Sequence, residues 1–111
     1  MLIASLLLVA MAQSPSADVA TARVAFTKCL HADMKKSLEA KMTPADYETA
    51  IKAACQSERD AFRKAVIALD KASGDSDADA AEDADMQVED YHENFVEKFT
   101  DYTETNTMPA A

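Results

Sequence analysis

The chain is predicted to be all-α, an antiparallel bundle of three helices, and three observations carry that prediction. Its 111 residues hold one glycine and three prolines, too few turn formers to close a set of β-hairpins. Alanine and charged residues, which suit helices, are plentiful. Large apolar residues recur at three- and four-residue steps in three long stretches, with helix stop and start residues between them. The length suits one small domain.

Ahead of those stretches lies a segment of another kind. Leu2–Ala12 (LIASLLLVAMA) carries no charge, and Ser5 is its only polar side chain. It falls well short of the roughly 20 residues a membrane-spanning helix needs, but it has the length of the apolar part of an export signal. Ala10-Met11-Ala12 places small residues where a signal peptidase reads, and Gln13-Ser14-Pro15 then turns polar. Residues 1–12 are therefore read as a signal peptide, cleaved after Ala12. The mature protein would be periplasmic or secreted, with no membrane anchor left. No basic residue precedes the apolar run, so either the α-amino group supplies the positive charge or the true start lies upstream. A buried first helix is the competing reading, but such a helix would present no polar face to water.

The mature domain is read as residues 13–103. Its first helix spans about Ser16 to Ala40, with Ser16 as cap and a stripe of Val19, Ala22, Phe26, Cys29, Leu30, Met34 and Leu38. Lys41-Met42-Thr43-Pro44 ends it. Thr43 is a good N-cap and Pro44 suits a first helical position. The second helix then runs to about Ser73, with Tyr47, Ile51, Cys55, Phe62, Val66 and Leu69 on one side. Gly74, the only glycine, sits where a left-handed stop is wanted. The third helix runs from Ser76 or Asp77 to about Tyr102. Its stripe is Ala81, Ala84, Val88, Tyr91, Phe95, Phe99 and Tyr102. Residues 104–111 read as a disordered tail. An arrangement in which the third helix docks only loosely remains open.

The spacing of the two cysteines predicts a disulfide. If the first two helices turn at Met42, then Cys29, thirteen residues before it, meets Cys55, thirteen after it. Both lie on apolar stripes. An oxidising compartment would let the bond form. Closing a loop of that length stabilises a fold by about 3.5 kcal/mol in the chain-entropy model. Two buried free thiols are the alternative.

Catalytic and metal-binding patterns are incomplete in this sequence, so neither catalytic residues, a cofactor nor a metal site is assigned. The cysteines are too far apart for a C-x-x-C redox pair. His31 cannot join Cys29 at a zinc, because positions two apart on a helix point about 200° from each other. Asp75-Ser-Asp77-Ala-Asp79 opens like a calcium loop, but Ala80 and Met86 stand where glycine and glutamate are required. Glu89-x-x-His92 is one half of a di-iron pattern without the other half, and reads as a rim histidine beside Glu89 and Glu93.

Charge is the remaining feature. The net charge is −9, which argues against nucleic acid as a partner. Gln13–Gly74 holds ten Lys/Arg and eight Asp/Glu, whereas from Asp75 onward one lysine faces twelve acids. Arg59, Arg63 and Lys64 on the second helix can meet Glu89, Asp85 and Asp83 on the third. Asp90, Glu93, Glu97, Asp101 and Glu104 remain, at three- and four-residue steps, as a continuous acidic face. Beyond keeping the protein soluble, that face suits a binding or accessory module that docks a basic protein or peptide of the cell envelope. Weak divalent-cation (calcium) buffering and self-association through the third helix are the alternatives.

Overall fold

Residues 14–110 are described in the computed structural model of the chain, and among them are four helices and no strand. The signal-peptide assignment, on residues 1–12, lies outside the described residues. Helix α1 spans Pro15–Glu39. Its cap is Ser14 rather than Ser16, and the Ser14 hydroxyl accepts from the Ala17 amide at 3.3 Å with Pro15 in the first turn. The helix closes when the Lys41 amide donates to the Leu38 carbonyl and the Met42 amide to that of Ser37. That double closure needs a left-handed residue, and Lys41 takes the role at φ 57°.

Helix α2 starts as the sequence implies, with the Thr43 hydroxyl accepting from the Asp46 amide at 3.2 Å and Pro44 in the first turn. It does not continue to Ser73. It stops at Ile51, and α3 begins at Gln56. The expected second helix is thus two helices joined by a four-residue elbow. Within the elbow the Ala53 and Ala54 amides tighten to i→i+3 bonds, and Cys55 then turns left-handed at φ 56°. The Arg59 guanidinium donates to the freed Lys52 carbonyl at 2.8 Å, which satisfies an acceptor that the break would otherwise orphan.

Helix α3, Gln56–Ala72, ends at Gly74, whose φ of 103° supplies the left-handed stop. Helix α4 spans Asp77–Thr105, a run of 29 residues or about 43 Å. The Ser76 hydroxyl caps it by accepting from the Asp79 amide at 3.1 Å, and Asn106, left-handed at φ 53°, ends it. The helix passes the expected end at Tyr102, and Pro109 beyond it is buried.

The disulfide joins Cys29 to Cys55 with Cα atoms 6.0 Å apart. It ties α1 to the elbow. Helix α3 packs on α1 and α4, while α2 packs on α4. Where α1, α3 and α4 meet, Phe26 lies 5.7 Å from Phe62 and 5.8 Å from Tyr91 between ring centroids. Further along, Tyr47 of α2 stacks on Phe99 of α4 at 4.1 Å. Leu30, Met34, Ile51 and Phe95 join the two groups into one buried core. Fully burying each such side chain contributes about 1.5–3 kcal/mol, so these two aromatic groups anchor the two ends of the packing.

Three expected outcomes test this account by denaturant unfolding. Replacing both cysteines with alanine lowers stability by about 3–4 kcal/mol, because the unfolded chain regains the freedom of the closed loop. Lys41→Gly raises stability by about 0.5–1 kcal/mol by relieving a left-handed lysine, whereas Gly74→Ala lowers it by about 1 kcal/mol. A Cβ at Gly74 meets nothing within 4 Å, so the loss there comes from the backbone alone.

Candidate functional site

The elbow turns α2 onto the second half of α4, and a groove of about 480 Å³ opens between them. Four-residue steps on α4 build one wall in two parallel rows. Asp85, Glu89, Glu93 and Glu97 form an acidic row, and Val88, His92 and Val96 form the floor beside it. Glu48, Ile51 and Lys52 of α2 and the elbow close the other side. The groove is therefore an apolar trough with a carboxylate rim, and Lys52 is the one basic residue on it.

Most of that negative charge has no internal partner. Three ion pairs occur among the described residues. Arg63 meets Asp85 at 2.7 Å, as the sequence implies. Lys71 meets Asp77 at 2.9 Å. Arg59 turns to Asp60 and the Lys52 carbonyl instead of Glu89. None of these pairs involves Glu48, Glu89, Glu93 or Glu97.

Of the five acids assigned to the binding face, all are exposed. Glu93 and Glu97 stand on the groove, while Asp90, Asp101 and Glu104 continue along α4 outside it. Glu48, Asp85 and Glu89 complete the rim and were not singled out for it. The four-residue row from Asp85 to Glu97 was visible in the sequence; its neighbour Glu48 was not, since only the elbow brings it there.

His92 is not the rim residue its flanking glutamates suggested. It is half-buried, its ring edge-on to Phe26 at 6.1 Å, and Nε2 is shut off from solvent without a partner. Burial lowers its pKa, the positive charges of Arg59 and Lys52 lower it further, and Glu89 partly opposes them. The floor histidine is therefore neutral at neutral pH. His31, by contrast, is exposed.

Two further polar groups are buried without partners. The Tyr47 hydroxyl is one; burial, followed by the charge of Asp33, pushes its pKa up. The other is Asp70 Oδ2, at the α3–α4 turn. Asp70 faces Asp83; with both carboxylates ionised neither can donate, so Oδ2 has no partner, and the two bond only once one of them takes up a proton. That bond, followed by burial and the charges of Asp83 and Asp75, pushes Asp70 up to about 6. Gln87 steadies the partner by donating to Asp83 at 3.0 Å.

Cys29, Cys55 and Glu58 bring three ligand atoms within 4.8 Å of one another, but both sulfurs are committed to the disulfide and offer no thiolate. No other such group occurs among the described residues, so the α4 acids do not converge on a point. Nor is any helix there long and apolar enough to cross a membrane. No family model, curated protein or solved structure matches the chain.

The Asp70–Asp83 pair sets a pH dependence with a definite sign. Its folded-state pKa of about 6 exceeds the ordinary value of 3.8, so the folded protein takes up a proton first as pH falls. The pair's contribution to stability is fully present below the ordinary value and is lost as pH rises through about 6. Asp70→Asn is expected to stabilise the protein at pH 7 and to flatten the rise in unfolding midpoint between pH 7 and pH 4. A midpoint series on both proteins checks it; an unchanged slope refutes it.

Proposed function

We propose that this is an exported, periplasmic or secreted, binding module that docks a basic partner of the cell envelope through the acidic side of α4. The observation that carries the reading is the groove rim: Glu48, Glu89, Glu93 and Glu97, exposed and outside every ion pair among the described residues, beside an apolar floor. Like charges four apart on a helix cost a few tenths of a kcal/mol per pair, and a cationic partner offsets that cost. An apolar trough with a few placed charges is also the usual form of a recognition site.

Three features support the address and architecture. The apolar run Leu2–Ala12 followed by Gln13-Ser14-Pro15 has the form of a cleaved export signal. A disulfide suits an oxidising compartment. The mature chain acts as three antiparallel rods, α1, α2 with α3, and α4, stapled between the first two. The converging geometry of an ion site is not what the acids form, so docking is favoured over calcium buffering.

A lysine-rich cationic peptide is the probe. It should bind at low ionic strength and lose at least about tenfold in affinity when NaCl is raised from about 50 to about 300 mM. The double variant Glu93→Gln, Glu97→Gln should weaken it under the low-salt condition with an unchanged circular dichroism spectrum. Binding indifferent to both salt and the double variant would falsify the docking reading.

A further inference from the structure

We infer that the groove between α2 and α4 is a site for a linear aliphatic polyamine; this rests on reading the groove as the binding site. The argument is one of spacing. Glu89, Glu93 and Glu97 stand four residues apart, so their carboxylates repeat about every 6 Å along α4. Val88, His92 and Val96 repeat with the same step along the floor. A row of negative charge therefore runs parallel to a row of low polarity. The complementary ligand carries cations about 5–6 Å apart joined by three or four methylenes, which is the chemistry of a linear polyamine. Its ammonium groups meet the glutamates, and its methylenes lie on Val96 and the small exposed edge of Val88. Glu48 reaches the same chain from the opposite wall.

Other occupants fit less well. A divalent metal needs several oxygens at about 2.3–2.6 Å, and carboxylates about 6 Å apart along one helix do not supply them. An anion meets the carboxylate rim. The floor adds no competing charge: His92 Nε2 is buried without a partner and the ring rests on Phe26. Lys52 at the edge repels one end of the ligand and limits its length.

Titration calorimetry on the full chain with the disulfide intact tests this. The probes are the triamine N-(3-aminopropyl)butane-1,4-diamine, butane-1,4-diamine and MgCl₂ at matched ionic strength. The triamine should bind one to one and at least about tenfold tighter than the diamine, since it engages one more carboxylate. Glu93→Gln should cost at least about tenfold, and Lys52→Gln should gain about threefold. Asp18→Asn with Glu39→Gln, exposed on α1 and outside both the groove and the acidic face of α4, should stay within about twofold. Equal affinity for triamine and diamine overturns the inference. So does displacement by MgCl₂ at matched ionic strength, or a loss in the α1 pair as large as that in Glu93→Gln. A silent triamine beside a binding cationic peptide overturns this inference and leaves the docking reading standing. A bound triamine beside a silent peptide does the reverse, and silence from both removes both.

Discussion

Cys55 carries two constraints at once, and the rest of the structure follows from their coincidence. It is bonded to Cys29 of α1, and it is the left-handed residue at which the second rod bends. A left-handed conformation costs a non-glycine residue about 1–2 kcal/mol, so something must hold it there. The bridge holds the residue to α1 on one side. On the other, Arg59 reaches back over the elbow to the Lys52 carbonyl at 2.8 Å. With the elbow set, α2 is released from the line of α3 and lays Tyr47 and Ile51 on α4. The stacking of Tyr47 on Phe99 then fixes how far α2 stands from α4. The groove is the space this placement leaves open.

The same bend explains why the acids of α4 are neutralised unevenly. Alongside α3, the first half of α4 faces arginine and lysine, and Arg63–Asp85 forms there, with Lys71–Asp77 at the turn. Beyond the elbow its neighbour is α2, which contributes Glu48 to the groove, while the elbow adds one basic residue, Lys52. Exposed ion pairs are worth less than about 1 kcal/mol each, so the paired half gains register more than stability. The unpaired half is left as a surface whose charge points outward, and three of its free carboxylates, Glu89, Glu93 and Glu97, lie along the groove.

Much of this was legible in the sequence, because the signals were local. Thr43-Pro44 and Gly74 mark helix boundaries by backbone chemistry that context seldom overrides. The equal distance of Cys29 and Cys55 from Met42 located the bridge. The elbow was not legible. Lys52, Ala53 and Ala54 are good helix formers, and no glycine or proline marks the break. Periodicity was silent too: Cys55 to Phe62 is seven residues, two helical turns, so the apolar stripe stays in phase across the bend. What breaks the helix is tertiary, the bridge together with the burial of Tyr47 and Ile51 on α4. The acidic face was half legible for the same reason. Glu93 and Glu97 were found from α4 alone, but Glu48 and the inward turn of His92 depend on which helix packs opposite.

The half-buried histidine completes the electrostatic logic of the groove. Were His92 charged, the floor would carry a cation about one helical turn from each neighbouring floor residue and would cancel part of the rim. Three influences keep it neutral at neutral pH: burial, and the positive charges of Arg59 and Lys52, against which Glu89 alone pulls the other way. Lys52 and Arg59 thus act on both sides of the site. They hold the elbow and the groove edge in place, and they suppress the proton on the floor. As pH falls below the depressed range of His92, the floor gains positive charge. The proposed preference for cations therefore belongs to the state in which His92 is neutral, and that state depends on the bend that sets Lys52 and Arg59 beside it.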